Sequence, residues 1–129
     1  MKILILGGGA REHAIVKALI RTGTPASDIQ VAPGNAGISL EVHCESSLNA
    51  NDPLAVAEYA LQHAIELAII GPEAPLVAGV SDALREQGIA VFGPSQKAAA
   101  LEGSKSFAKE VMAAAGVPTG MARECTTLA

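Results

Sequence analysis

Four short runs of mostly apolar residues occur along the chain, and a glycine or proline follows each of them. The runs cover residues 3–6, 29–32, 67–70 and 89–92, and they are followed by Gly7, Pro33, Gly71 and Gly93. The runs at residues 3–6 and 67–70 are typical of strands buried inside a parallel sheet, and the other two predict further strands. Because ligands bind at the carboxyl edge of open α/β sheets, the four loops are expected to converge on one crevice.

The segments between the strands carry apolar residues at helical spacing. The inward positions are Ala14, Ile15, Ala18 and Leu19, then Leu54, Ala57 and Leu61, then Leu76, Val77, Val80, Ala83 and Leu84. Asp52 before Pro53 is typical of a helix start, and Gly88 of a helix end. Gly79 lies inside the third helix, where close packing or the approach of a ligand would explain it, and we expect close packing. Alternating strands and helices predict an α/β fold with a doubly wound, Rossmann-like parallel sheet over residues 1–94.

The pattern changes after Gly93. Residues 97–101 predict a short alanine-rich helix, and Ser104 is expected to cap a second helix with Phe107, Val111 and Met112 on one side. Residues 127–129 are expected to open another helix. We therefore expect residues 95–129 to form a helical connection and the truncated start of a second domain.

Composition and charge restrict the class of protein. Half of the 129 residues are hydrophobic and only 2% are aromatic, so one domain with an aliphatic core is expected. The net charge of −4 argues against nucleic acid and anionic membranes as partners. No apolar run approaches the roughly 18 residues that span a bilayer. The two cysteines, Cys44 and Cys125, and the three histidines lack the spacing of a metal site. We therefore predict that the chain has no metal site of its own and that the protein is cytoplasmic.

The first turn, GGGAREHA over residues 7–14, is a candidate phosphate site. A glycine turn ahead of a helix presents backbone N–H groups and the positive end of the helix dipole to an anion. We expect donors from Gly8, Gly9 and Ala10. Arg11 is expected to make a bidentate contact, which suits a terminal phosphate monoester. A tight turn with no ligand is the simpler alternative.

A dinucleotide-binding turn is a second alternative. Gly7 and Gly9 fit the first two positions of the fingerprint G-x-G-x-x-G, but Glu12 stands at the third. The acidic residue expected about 20 residues later, for the ribose of NAD, is also absent. The sequence therefore disfavours NAD. A stand-alone nucleotide-binding domain and a regulatory domain remain open beside a phosphate-binding enzyme.

Four segments together resemble a known family in their order and spacing. They read GGGAREHA, VAPGNAG, IIGPEAPLVAGV and FGPSQKAAALEGSKSFAKEVMAAAGVPT. The resemblance is to the amino-terminal part of the phosphoribosylamine–glycine ligases (glycinamide ribonucleotide synthetases) of the ATP-grasp superfamily. It extends from residue 1 to about residue 119. It implies a Rossmann-like pre-ATP-grasp domain followed by the start of an ATP-grasp domain.

The resemblance also implies an activity for the whole protein. These ligases join glycine to 5-phosphoribosylamine, with hydrolysis of ATP to ADP and phosphate, on the route to IMP in de novo purine biosynthesis. Mg²⁺ or Mn²⁺ bridges the nucleotide phosphates, through ligands expected mostly outside this chain. We therefore expect small-molecule partners only, no catalytic or metal-binding residue in this chain, and no activity from this chain alone.

Matching motif positions suggest roles for three polar residues. Glu12 is expected either to accept hydrogen bonds from ribose hydroxyls or to stabilise the first turn of its helix. His13 is expected to contact the ligand or to be an ordinary helix residue. Asn35 is expected to contact the ribose or the amine, or to be a turn residue.

Two further groups complete the predicted site. Gly71, Pro72 and Glu73 form a turn. The Glu73 carboxylate is expected to hold the sugar hydroxyls or to orient the amine, and the alternative is that Glu73 is only the first residue of a helix. Lys105 stands in the first turn of a helix, where a lysine opposes the helix dipole. It resembles the lysine that reaches nucleotide phosphates in ATP-grasp enzymes, and the resemblance therefore implies contact with the ATP phosphates. A solvated surface lysine is the alternative. Lys109, one turn later, is expected to lie in solvent.

Overall fold

The structure, a computed structural model, describes residues 1–123 and Cys125. Its strands form one all-parallel sheet in the order β3-β2-β1-β4-β5. They are β1 (Ile3–Gly7), β2 (Ile29–Pro33), β3 (His43–Cys44), β4 (Leu67–Ile70) and β5 (Ala90–Phe92). Ile3 of β1 lies opposite both Ile29 of β2 and Leu67 of β4, so β1 is the central strand. The predicted doubly wound parallel sheet is confirmed.

Six α-helices accompany the sheet in this part of the chain. They are α1 (Ala10–Arg21), α2 (Pro53–Gln62), α3 (Glu73–Ala78), α4 (Val80–Glu86), α5 (Gln96–Gly103) and α6 (Lys105–Ala114). The helix starts and ends that were predicted from single residues are confirmed. Asp52 accepts hydrogen bonds from the N–H groups of Leu54 and Ala55, and Gly88 ends α4 with φ of +76°. The Ser104 hydroxyl accepts the Phe107 N–H at the start of α6.

Alternate residues of β1 supply the two halves of the core. Leu4 belongs to the buried cluster that includes Val56 of α2 and Leu84 of α4. Ile5 belongs to the cluster on the opposite face, which includes Val16 of α1. Successive side chains of a strand point to opposite faces of a sheet. The helices therefore cover β1 from both sides, which explains why its apolar run is continuous.

The inward face predicted for α2 is correct at Ala57 and wrong at Leu54 and Leu61. Leu54 is 80% exposed and Leu61 is 53% exposed, whereas Val56, Ala57 and Ala60 are buried. The buried stripe consists of small side chains, and α2 packs chiefly against α4. The larger leucines occupy the outer face instead.

The third predicted helix consists of two helices. Gly79 has φ of +94°, a left-handed conformation that an α-helix cannot continue through, and it separates α3 from α4. Its predicted role within one continuous helix is therefore wrong. Strand β3 was not predicted at all. It contains only His43 and Cys44, and it is defined by pairing with Gln30 and Val31 of β2.

Two helices follow β5, as predicted. The predicted apolar side of α6 is not covered, since Phe107 is 39% exposed and Val111 37% exposed. The domain boundary at residue 95, and the assignment of residues 95–129 to the start of a second domain, stay predictions. The helix expected at residues 127–129 lies outside the described residues. None of the helices in residues 1–123 is long and apolar enough to cross a bilayer.

Candidate functional site

Three of the four loops that were predicted to converge, those that follow β1, β2 and β4, meet at the carboxyl edge of the sheet. The Gly34 N–H donates to the Gly7 carbonyl at 3.2 Å, and the Gly71 N–H donates to the Leu6 carbonyl at 3.1 Å. A Cβ on Gly8 would overlap the Gly34 carbonyl, so only glycine permits this approach. The loop after β5 contacts α3 instead, where a Cβ on Gly93 would lie 3.0 Å from Leu76 Cδ2.

The glycine turn leaves backbone donors unused at the start of α1. Gly9 is the N-cap, and its N–H donates to Glu12 Oε2 at 2.6 Å. This is one half of a capping box, because Gly9 has no side chain to supply the other half. Within residues 1–123, the N–H groups of Gly8, Ala10 and Arg11 have no acceptor. The Arg11 side chain is exposed. Three donors and a cation therefore remain available to an anion, while the donor expected from Gly9 is engaged.

Glu12 is a buried carboxylate enclosed by glycines. It is 3% exposed, and a Cβ would lie 2.7 Å from its Cδ at Gly7 and 2.9 Å from its Oε2 at Gly9. A Cβ at Gly71 would overlap its Oε1. Among the described residues, Oε1 has no hydrogen-bond partner. The oxygen on Gly9 fits the helix-stabilising interpretation and the unpaired oxygen fits the ligand interpretation, so both stay predictions.

Asn35 ties two loops together through both ends of its amide. Its Nδ2 donates to the Gly8 carbonyl at 2.7 Å, and its Oδ1 accepts the N–H groups of Gly37 at 2.8 Å and Ile38 at 3.0 Å. The amide thus fixes the turn after β2 against the glycine turn. Its contact with a ligand stays a prediction.

His13 belongs to a charged cluster that the sequence did not reveal. Its Nε2 lies 2.7 Å from Glu41 Oε1, and Lys17 Nζ lies 2.7 Å from the same oxygen. Lys17, and then His13, hold the pKa of the Glu41 carboxyl below its usual value of 4.5. Lys17 follows His13 by one helical turn, so the sequence itself indicates that these two side chains lie on the same face of α1. Glu41 comes from a separate loop, so no local spacing indicated it.

The turn after β4 carries the third predicted group. Pro72 is the N-cap of α3, and Glu73 is its first residue and is exposed. Gly71 lies against the Glu12 carboxylate. The Glu73 carboxylate has no hydrogen-bond partner within residues 1–123. It is placed where either a ligand contact or a simple helix start is possible, and its role stays a prediction.

A cavity of about 370 Å³ opens on the β2–β3 side of the turn that contains Asn35. It is lined by Pro33, Gly34, Asn35, Ala36, Ser39, Cys44 and Ser46. Sequence reasoning did not find this cavity, because β3 was not predicted. Its small hydroxyl and thiol residues also form no recognisable motif.

Lys105 lies at the start of α6, and it is distant in the sequence from the three turns described above. It is exposed and lines a cavity of about 360 Å³ with Ser106, Lys109, Glu110, Ala122 and Arg123. The prediction that Lys109 lies in solvent holds only in part, because the residue is half-buried and its ammonium has protein partners at the surface. Its ammonium donates to Thr119 Oγ1 and to the Gly120 carbonyl, both at 2.6 Å. Among the residues described, no cluster of three or more His, Cys, Asp or Glu side chains suits a metal ion.

Comparison with known proteins gives a consistent result. Residues 1–102 match the family model described as "Phosphoribosylglycinamide synthetase, N domain". The chain is 57% identical over 131 residues to a phosphoribosylamine–glycine ligase of Leifsonia xyli subsp. xyli, covering 100% of this chain and 31% of the relative. It is 55% identical over 126 residues to that of Streptomyces coelicolor, covering 98% and 30%. The chain thus spans about 30% of the length of these curated relatives.

Proposed function

Because the chain belongs to the phosphoribosylglycinamide synthetase N-domain family, we propose that it supplies the phosphoribosylamine-binding part of a phosphoribosylamine–glycine ligase. Such an enzyme joins glycine to 5-phosphoribosylamine in de novo purine biosynthesis. ATP phosphorylates the glycine carboxylate. The substrate amine then attacks the acyl phosphate and displaces phosphate.

The anion site at the start of α1 is the observation that carries this proposal. The N–H groups of Gly8, Ala10 and Arg11 have no acceptor within residues 1–123, and the Arg11 guanidinium is exposed beside them. These donors lie at the N-terminus of a 12-residue helix, whose dipole favours negative charge. The site suits the 5-phosphate of phosphoribosylamine, which is a dianionic monoester that a forked guanidinium binds well.

The sugar and amine would lie among the three converging loops. The exposed Glu73 carboxylate and the unpaired Glu12 Oε1 are acceptors, which suit ribose hydroxyls or a protonated amine. Asn35 would act chiefly by holding the Gly8 carbonyl, since both ends of its amide have backbone partners. Gly71 and Pro72 would position Glu73 at the end of β4.

ATP and its metal are the less developed part of the proposal. Lys105 would contact nucleotide phosphates from the cavity that it shares with Lys109 and Arg123, where positive charge predominates. The described residues do not fit a Mg²⁺ or Mn²⁺ site, because no suitable cluster of ligands is present among them. We therefore assign no metal ligand and no step through a metal. A cytoplasmic location is likewise part of this proposal.

The test is to measure the binding of ribose 5-phosphate and of NAD to the chain by calorimetry. Ribose 5-phosphate is expected to bind, and Arg11→Ala is expected to weaken it. A hydrogen bond to a charged group contributes about 1.5–3 kcal/mol, which corresponds to roughly 10- to 100-fold in affinity. Arg11→Lys should recover only part of this loss, since an ammonium lacks the planar fork.

Arg21→Ala is the matched control for this experiment. Arg21 is also exposed on α1, but it lies in the last turn, at the opposite end from the proposed phosphate site. It should leave ribose 5-phosphate binding unchanged. Binding of NAD in place of ribose 5-phosphate would favour a stand-alone dinucleotide-binding domain, and binding of neither would favour a regulatory domain without this ligand.

A further inference from the structure

The cluster of His13, Glu41 and Lys17 lies next to the proposed anion site and has no role in it so far. His13 occupies the first turns of α1, two residues after Arg11. Glu41 follows the short turn Ile38–Leu40 in the loop between β2 and β3. The side chains of His13 and Glu41 are only 26% and 25% exposed, whereas that of Lys17 is 62% exposed. The His–Glu contact is therefore shielded while Lys17 closes its outer side.

The charge on Glu41 determines which nitrogen of His13 carries a hydrogen. Lys17 and His13 keep the pKa of the Glu41 carboxyl below 4.5, so the group is ionised at neutral pH. An ionised carboxylate only accepts hydrogen bonds. The imidazole nitrogen that faces it, Nε2, must then be the donor. In a neutral imidazole the other nitrogen, Nδ1, is left as an acceptor.

The Nδ1 edge of His13 lies beside a glycine. A Cβ on Gly37 would lie 3.2 Å from His13 Cε1, 3.5 Å from His13 Nδ1 and 3.2 Å from Asn35 Oδ1. Any side chain at Gly37 would therefore fill the space between His13 and Asn35. Within residues 1–123, no protein donor is hydrogen-bonded to His13 Nδ1. The same Asn35 amide donates to the Gly8 carbonyl, so this space adjoins the glycine turn.

Resting on the function proposed above, we propose that Glu41 is a positioning residue that holds His13 as the Nε2–H tautomer, so that Nδ1 accepts a hydrogen bond from a sugar hydroxyl of the substrate. Lys17 keeps the Glu41 carboxylate in place. Nδ1, as an acceptor, can bind a sugar hydroxyl, which donates a hydrogen bond. It cannot bind the phosphate oxygens in the same way, because they are themselves acceptors. His13 would thus recognise the ribose, while Gly8, Ala10 and Arg11 bind the phosphate.

The first test is the tautomer itself. Nitrogen-15 NMR of the three histidine rings, recorded at alkaline pH, distinguishes Nε2–H from Nδ1–H. The expected result is the Nε2–H form for His13 in the unmodified chain and a mixture of both forms in Glu41→Gln. The Nδ1–H form in the unmodified chain overturns the proposal.

The second test is binding of ribose 5-phosphate and of inorganic phosphate by the same proteins. Glu41→Gln is expected to weaken ribose 5-phosphate roughly 3- to 10-fold, the range for a neutral hydrogen bond, and to leave inorganic phosphate unchanged. Equal weakening of both ligands, or of neither, overturns the proposal.

A matched control and a reference variant make the two proposals separable. Glu45→Gln removes the carboxylate of the other His–Glu pair, His43 with Glu45, whose atoms are 3.9 Å apart. It should change neither the His13 tautomer nor either affinity. If ribose 5-phosphate binds and Arg11→Ala weakens it while Glu41→Gln has no effect, the role of Glu41 is wrong and the proposed function stands. If ribose 5-phosphate does not bind the unmodified chain at all, both fail.

Discussion

Glu12 and Gly71 are packed so closely that no side chain fits between them: a Cβ on Gly71 would overlap Glu12 Oε1. Glu12 belongs to the first turn of α1, and Gly71 begins the loop after β4. The contact therefore sets the distance between the glycine turn and the loop that carries Glu73. The contact also explains why residue 71 is a glycine, although its φ is not positive.

Gly71→Ala is expected to destabilise the fold. The added methyl group must displace a buried carboxylate or the β4 loop, and overpacking of this kind costs about 1–3 kcal/mol. Chemical denaturation with a linear extrapolation measures the change. If Glu12 is the obstacle, Glu12→Ala combined with Gly71→Ala should be more stable than the sum of the two single changes predicts, by about 0.5–3 kcal/mol.

Gly120→Ala is the control for this cycle. A Cβ on Gly120 meets nothing within 4 Å, and the residue does not have a positive φ. Its free energy of unfolding should change by less than about 0.5 kcal/mol. Equal stability of Gly71→Ala and Gly120→Ala would show that the β4 loop moves freely away from Glu12.

The sequence predicted those features that local signals determine. Short apolar runs marked β1, β2, β4 and the largely exposed edge strand β5. Asp52 and Gly88 marked helix ends because capping depends on one or two neighbouring residues. The two-residue β3 escaped because only its pairing with β2 defines it. The break at Gly79 escaped because apolar residues continue on both sides of it, and a left-handed φ leaves no trace in hydrophobic spacing.

The candidate site was predictable to the same extent. Its position followed from topology, since parallel strands place their carboxyl ends at one edge. Burial of Glu12 and the contact of Glu41 with His13 depend on how separate loops fold together. No spacing within one segment encodes such contacts.

The orientation of α2 gives a prediction with two matched leucines. Leu84→Ala on α4 should reduce the free energy of unfolding by about 2–5 kcal/mol, because Leu84 is fully buried and its truncation leaves a cavity. Leu54→Ala on α2 should change it by less than about 0.5 kcal/mol, because Leu54 is 80% exposed. Denaturation midpoints of the two variants check this directly. A large loss from Leu54→Ala would restore the orientation that spacing predicted.

Acid should weaken the fold partly through Glu41. A carboxyl whose pKa is lowered by folding stabilises the native state above its usual value of 4.5, and that stabilisation is lost as the pH falls through the lowered pKa. Lys17 and His13 are the two groups that face this carboxylate and lower its pKa. Glu41→Gln should therefore be less stable than the unmodified chain at neutral pH, and the difference should shrink below about pH 4.5.

Denaturation curves recorded from pH 7 to pH 3, about the range over which carboxyls titrate, measure this convergence. Glu86→Gln is the control. Glu86 is an exposed residue of α4 with no ion pair in the described part of the chain. The free energy of unfolding of Glu86→Gln should equal that of the unmodified chain at every pH. A constant difference for Glu41→Gln over the whole range would show that its contacts do not depend on its charge.

Lys105 and Lys97 both lie in the first turns of neighbouring helices, Lys105 as the first residue of α6 and Lys97 as the second residue of α5. Each lies in the first turn of its helix, behind Ser104 or Ser95, whose hydroxyl accepts a backbone N–H. A lysine opposes the helix dipole at both places. Only Lys105 lines the cavity that also contains Lys109 and Arg123. A phosphate ligand in that cavity would account for the unfavourable charge at Lys105 but not for that at Lys97.

Lys105→Ala, made in a full-length ligase that carries this sequence, should therefore raise the dissociation constant for ATP roughly 10- to 100-fold, as expected for loss of a hydrogen bond to a charged group. Binding of ribose 5-phosphate should not change. Stability should stay the same or rise by about 0.3–1 kcal/mol, because the helix loses a charge that its dipole opposes. Calorimetric titration with ATP measures the effect, and Lys97→Ala is the control. Equal ATP affinities for Lys105→Ala and Lys97→Ala would make Lys105 a solvated surface lysine.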